Sequence, residues 1–243
     1  TTEIYTLSLH DALPISYMLQ SALGIDLKKA LTPTVYLDRD PKTIAMALTE
    51  ALGPKLGVHF AETHQALIHA LGKQAAFRRR LIEEGDRVRA AMGENEPLVV
   101  VTGRPYNLYD ERLNLRLGQN LGKIGLTALP MDFLDASAVD LSDFPSMYWG
   151  LGAQILRTAK IIKEHDHLFG LHLTNFECGP DSFLEHFYRY IMGDKAYLIL
   201  ELDEHSAVAG VMTRLEAYRN VIENVLRKQQ QGFNGALDHR AAN

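Results

Sequence analysis

From Tyr17 to about Met92 apolar residues recur at helical spacing, broken by turn signals at Thr32-Pro33, Asp40-Pro41 and Gly53-Pro54. DPKTIAMALTEALG predicts a capped helix, with Asp40 at the N-cap, Pro41 in the first helical position and Gly53 after the last apolar residue. Leu67, Leu71, Leu81, Val88 and Met92 fall near one stripe of a second, longer helix over 62–92. Its polar side carries Arg78, Arg79 and Arg80. Glu83, Glu84 and Asp86 lie one turn away, so a solvated face is expected there. Past Met92 the pattern changes. LVVVT at 98–102 is a β-branched run closed by Gly103, which predicts a buried strand. Residues 110–123 suit a helix, IGLTALP a second strand, PSMYWGLGAQILRTAKIIKEH a long amphipathic helix and HLFGLHLTNF a third strand. DSFLEHFYRYIM, KAYLILELDEH and SAVAGVMTRLEAYRNVIENVLRKQ complete the alternation as helix, strand and helix.

Each strand is an apolar run and not an alternating one, as strands covered on both faces are. The pattern predicts an α/β fold: an open, mainly parallel four-stranded sheet with helices on both faces, Rossmann- or flavodoxin-like, preceded by a helical segment. The expected divisions are a helical segment over 17–95, part of a truncated upstream domain, an α/β domain over 96–228, and a polar tail over 229–243. No internal repeat is present.

Residues 1–15, TTEIYTLSLHDALPI, lack the basic start of a signal peptide. They read, codon for codon, as a translation of a short-read sequencing adapter. Residues 1–16 are therefore expected to be an artefactual leader, with the natural reading frame cut near Ser16. Composition narrows the function classes. A formal net charge of -5 and the lack of a basic run give no pull toward nucleic acid or anionic membrane. No apolar run approaches the roughly 18 residues of a membrane span. The single cysteine excludes an internal disulfide framework and fits a reducing cytoplasm.

In an open parallel sheet ligands bind beyond the carboxyl ends of the strands, and the chemistry-bearing residues fall there. The first strand ends in Gly103-Arg104-Pro105-Tyr106-Asn107, the second in Pro130-Met131-Asp132, the third in Asn175-Phe176-Glu177-Cys178-Gly179-Pro180-Asp181, and the fourth in Glu201, Asp203 and His205. Cys178 precedes a helix that begins near Asp181, a position that stabilises a thiolate through the helix dipole and free N–H groups. A thiolate serves a metal or a nucleophile; a free cysteine packed as a small hydrophobe is the alternative. Arg104 suits an anionic substrate group, or pairing with Asp132 or Asp203. Cys178, His205 and Asp203 could assemble a thiol nucleophile set. EHDH at 164–167 lies at the opposite end of the sheet and reads as an exposed loop. GRPYN lacks the later glycines of the dinucleotide fingerprint and no GxxxxGKS/T occurs, so no nucleotide site is expected from glycine-rich loops.

GRPYNLYDERLN, PMDFL, MYWGLGAQIL, TNFECGPDSF and LILELDEHSAVAGVMTRLEAYRNVI together resemble the C-terminal part of a bacterial family. Its large proteins fuse acyl-CoA dehydratase activase modules to a 2-hydroxyacyl-CoA dehydratase-subunit-like region. More distantly the same segments resemble the last domain of 2-hydroxyglutaryl-CoA dehydratase and benzoyl-CoA reductase-type subunits. The resemblance covers roughly 97–226 well, is weaker over 17–96 and is absent from 1–16. It implies a 4Fe-4S cluster held by three cysteines from different loops, of which Cys178 matches the last, with Asn175 beside it. It further implies one-electron, ketyl-radical chemistry on an acyl-CoA substrate, driven by an ATP-dependent activase partner. Arg104, Tyr106 and Asp132 are the implied substrate-side residues, and Asp181, Asp203 and His205 the candidates for proton handling. One thiol cannot hold such a cluster, so this chain is expected to be inactive alone. A non-catalytic docking module with a structural cysteine is the alternative.

Overall fold

The computed structural model describes residues 21–24, 31, 33–93, 96–175, 179–203 and 205–241. The expected leader lies outside them, as do Phe176, Glu177 and Cys178. The chain divides into two compact units, Thr1–Arg80 with Pro145–Gly150, and Leu81–Phe144 with Leu151–Asn243.

In the first unit, α1 (Pro41–Leu56) starts as the sequence predicts. Asp40 accepts hydrogen bonds from the backbone N–H groups of Lys42 and Thr43, both at 3.0 Å. The helix does not stop at Gly53. It continues through Pro54 and ends at Gly57, whose φ of 68° is left-handed and whose N–H bonds Gly53 O at 2.8 Å. A proline in the last turn removes only one helical hydrogen bond, which this cap offsets. The following α2 (Phe60–Ala91) belongs to this unit up to Arg80 and to the second from Leu81; Arg78, Arg79 and Arg80 are exposed, and its one buried residue, Gly85, lies in the second part.

The second unit is built on β1 (Leu98–Gly103), β2 (Thr127–Pro130), β3 (Leu168–Asn175) and β4 (Tyr197–Leu202). They form one sheet in the order β2-β1-β3-β4 with every pairing parallel. Between β1 and β2 run α3 (Pro105–Tyr109) and α4 (Leu117–Lys123); a 3-10 turn (Met131–Phe133) and α5 (Gly150–Glu164) lead to β3. The helix α6 (Gly179–Met192) joins β3 to β4, and α7 (Val208–Ala241) closes the chain. Residues 229–241, expected as a tail, continue α7.

Strand alternation sends two residue sets to opposite faces. Val99, Val101, Leu171, Leu173, Leu200 and Leu202 form one core with Leu117 and Leu121 of α4 and Leu215, Tyr218 and Ile222 of α7. Each such aliphatic side chain contributes about 1.5–3 kcal/mol on full burial. Right-handed crossovers put α5 and α6 on the other face. There Gly170 of β3 is required, because a Cβ would stand 2.4 Å from the Tyr188 hydroxyl and 3.2 Å from Met192 Cε. Tyr218 reaches the same residue, donating its hydroxyl to Gly170 O at 2.8 Å.

The helix expected over 110–123 is interrupted. Asp110 accepts from the N–H groups of Arg112 and Leu113 and turns the chain. Leu115 and Arg116 then adopt left-handed backbone angles, φ 53° and 55°. Only 117–123 remains for α4.

Candidate functional site

The strand order fixes where the chain reverses direction across the sheet. From β1 it steps outward to β2, then crosses back to lay β3 on the other side of β1. The connections from β1 and β3 therefore lead to opposite sides of the sheet, and that switch point is where ligands bind in open α/β sheets. The sheet register aligns Gly103 with Leu173 and Thr102 with His172. Gly103 permits a close approach there, since a Cβ would lie 2.5 Å from the Leu173 carbonyl oxygen.

Two contacts tie the loops together. Arg104 is extended, and Pro105 after it starts α3, which leaves the guanidinium directed across to α6. Arg104 Nε donates to Asp181 Oδ1 at 2.9 Å, and Thr174 Oγ1 donates to Asp181 Oδ2 at 3.0 Å. Asn107 Nδ2 donates to Asn175 Oδ1. Asp181, in the first turn of α6, is buried, so its charge depends on the Arg104 partner and the helix dipole. The sequence offered Asp132 or Asp203 as the carboxylate for Arg104; the one its Nε engages is Asp181.

Beneath these contacts lies a buried polar pair that the sequence reading did not single out. Thr102 Oγ1 and His172 Nδ1 are 3.0 Å apart. The His172 ring stacks on Tyr188, with centroids 5.0 Å apart at 28°. Burial pushes the His172 imidazole down to about 4, opposed by the Asp181 charge and aided by Arg189, so the ring is neutral at pH 7. Its Nε2 has no hydrogen-bond partner among the described residues. The available signal was a histidine inside the apolar run LFGLHL, opposite a threonine in β1.

The other predicted residues lie apart from these contacts. Asp132, after β2, accepts from the Tyr109 hydroxyl at 2.6 Å and from Gln154 Nε2 at 2.7 Å. Burial, and then this bond, hold the Tyr109 phenol well above its ordinary range. Asp203 is exposed and forms a local turn, accepting from His205 N at 3.0 Å and from the Ser206 hydroxyl at 2.8 Å. The Ser206 bond is the main reason its carboxyl sits below the usual range. His205 and Tyr106 are exposed. Cys178 belongs to the segment outside the described residues, between Asn175 and Gly179.

The residues of this chain do not by themselves fit a 4Fe-4S cluster. It has one cysteine, and among the described residues no group of three His, Cys, Asp or Glu side chains could hold a metal ion. His165 and Asp166 of the EHDH stretch are exposed. Among the described residues no helix is long and apolar enough to cross a membrane.

Comparison with known proteins places the chain. No curated protein matches it. Among solved structures, a mutant manganese-bound periplasmic metal binding protein from Candidatus Liberibacter asiaticus is similar at 11% identity and a TM-score of 0.23. That likeness covers 83% of this chain and 71% of that one, and is too slight to carry a fold or a function. A family model described as CoA enzyme activase uncharacterised domain (DUF2229) matches residues 13–134, half of the chain. The match includes α1 and α2, where the sequence held no motif, and runs on through β1, α3, α4 and β2. This protein belongs to the family of CoA enzyme activase domains.

Proposed function

We propose that this activase-related chain is part of an iron–sulfur acyl-CoA dehydratase system, in which Cys178 supplies one thiolate of a 4Fe-4S cluster. The remaining ligands then come from residues outside this sequence. The observation that carries the reading is the placing of the two inter-loop contacts on either side of the cysteine segment. Asn175, just before it, is held by Asn107; Asp181, just after it, is held by Arg104. Family membership supports the acyl-CoA side of the proposal.

Such a cluster, when bound, supplies a single low-potential electron for a 2-hydroxyacyl-CoA-type thioester. The contribution of this chain is positional. Arg104 and Asn107 fix the β1 loop against the β3 loop, and the first turn of α6 offers the positive pole that favours a thiolate. Its partners are the thioester and an ATP-dependent activase, in a reducing cytoplasm.

The test is anaerobic preparation of the natural protein that carries this sequence, beside its Cys178→Ala variant. About four irons and four acid-labile sulfides per protomer, lost or destabilised in the variant, are expected. Equal iron in both proteins, or none in either, removes Cys178 from the cluster.

One observation favours a second reading, a docking module with a structural cysteine. In the first unit Met46, Leu56, Ile68, Leu71 and Phe77 are exposed on α1 and α2, large apolar side chains of the kind that mark interaction surfaces when they cluster. That reading predicts an iron-free protein whose Cys178→Ala variant still binds its partner enzyme.

A further inference from the structure

A cavity of about 470 Å³ lies beside the loop that joins α3 to α4. Arg112, Arg116 and Lys123 line it, with Asn120, the apolar Leu115 and Val208, and a single carboxylate, Glu111. None of the three cations makes an ion pair among the described residues. Lys123 Nζ donates to Asn120 Oδ1 at 3.1 Å. Asp110 is close enough to feel the Arg112 charge, but its carboxylate is already taken by two backbone N–H groups. In a chain of net charge -5, three cations against one acid in a concavity is a local reversal of sign.

The loop that presents Arg116 is strained and held in place. Leu115 and Arg116 are both left-handed although neither is glycine, a conformation that persists only where the surroundings impose it. Two buried amides impose it. Asn114 Nδ2 donates to Asn107 O at 2.9 Å and Leu108 O at 3.1 Å, and its oxygen accepts from Leu117 N at 3.3 Å. Asn120 Nδ2 donates to Leu115 O at 2.9 Å. The strained backbone is thus held in place beside three cations that make no ion pair among the described residues.

We propose that this cavity binds a small molecule carrying a diphosphate group. Guanidinium forks match phosphate oxygens bidentately, and three cations exceed the need of one phosphate. The volume is that of a small-ligand site, and Leu115 and Val208 supply an apolar wall for the carbon part of the ligand. Val208 is also the first residue of α7, so the positive pole of a long helix lies at the same wall. No glycine-rich loop takes part, which is why the sequence held no fingerprint for it. The inference does not depend on the cluster reading, and Cys178→Ala leaves this binding unchanged.

Calorimetric titration of the chain at low and at moderate salt, with inorganic pyrophosphate, ADP and coenzyme A, tests it; citrate is the non-phosphate control. Pyrophosphate is expected to bind, more weakly at the higher salt. ADP binding as tightly as coenzyme A assigns the diphosphate alone; coenzyme A binding more tightly assigns its additional phosphate and pantetheine as well. Arg116→Gly is the decisive variant. Glycine accepts the left-handed backbone, so the melting temperature stays level or rises, while affinity for pyrophosphate falls about tenfold with the lost charge-assisted bonds. Arg112→Ala is expected to weaken binding similarly. No binding of any phosphate, full affinity in Arg116→Gly, or citrate bound as tightly as pyrophosphate overturns the proposal.

Discussion

Arg104 and Asp181 are separated by 77 residues of sequence and by 2.9 Å in the structure. The bond joins the end of β1 to the start of α6, with the Asp181 side chain 4% and the Arg104 side chain 26% exposed. A buried carboxylate is costly once its cation and hydroxyl partners are lost.

Arg104→Ala is therefore expected to lower the unfolding free energy by about 2 kcal/mol, less than the loss of a fully buried pair because Arg104 is partly solvated. Asp181→Asn removes the orphaned charge, so the double variant should be more stable than the two single losses add up to. Urea unfolding of all four proteins measures the coupling. Strict additivity would show that the two side chains do not depend on each other.

Gly170→Ala is expected to destabilise by about 1–3 kcal/mol, since the new methyl meets the Tyr188 hydroxyl and Met192. Tyr188→Phe removes the nearer obstacle. The pair Gly170→Ala with Tyr188→Phe should recover a measurable part of the loss in thermal unfolding. Failure to recover any would place the strain elsewhere.

His172 predicts an acid sensitivity above the range of carboxylates. Its folded value of about 4 lies below the ordinary histidine value of 6.5, so between those limits the unfolded chain binds the proton and the folded one does not. Stability is full above about pH 6.5, declines by roughly 3 kcal/mol as pH falls to 4, and is flat below for this group. Asp40, Asp110 and Asp203, with lowered carboxyl values, contribute stability that is lost only at more acid pH. Denaturation midpoints between pH 4 and 7 should lose most of their slope in His172→Gln. An unchanged slope would assign it to other groups.

Asp132 has both carboxylate oxygens engaged, which gives it a bracing role between α3 and α5. Asp132→Ala is expected to cost about 1–2 kcal/mol. It should also lower the Tyr109 phenol part of the way, since burial, the larger cause, remains. Alkaline spectrophotometric titration would then show one tyrosine ionising at lower pH than in the parent, and an unchanged curve would refute the assignment.

The sheet was legible because its central strands are dominated by buried apolar residues, as LVVVT and LFGLHL show, while the edge strand β4 still carries LILEL around an exposed Glu201. The cap at Asp40 was legible for the same local reason. What escaped depended on contacts between distant segments. The break at Leu115–Arg116 is imposed by Asn114 and Asn120 side chains that take backbone carbonyl groups, and nothing in ERLNLRLGQN distinguishes that from a helix. For Arg104 the sequence left a substrate anion, Asp132 and Asp203 open and did not offer Asp181, because only the register of β1 on β3 brings Asp181 to it. His172 read as part of a strand, and its burial against Tyr188 needs α6 in place.

The strand order also sets a timetable for synthesis. Within this sheet β1 leaves the ribosome before its neighbours, yet it ends between β2 and β3. The segment matched by the family closes at Leu134, just after β2, so a nascent chain that has reached that point holds two of this sheet's four strands. Until Leu168–Asn175 emerges, on the order of seconds later at ordinary elongation rates, one whole edge of the valine run in β1 has no strand beside it. That interval, and not the finished protein, is when this chain most needs protection from neighbours.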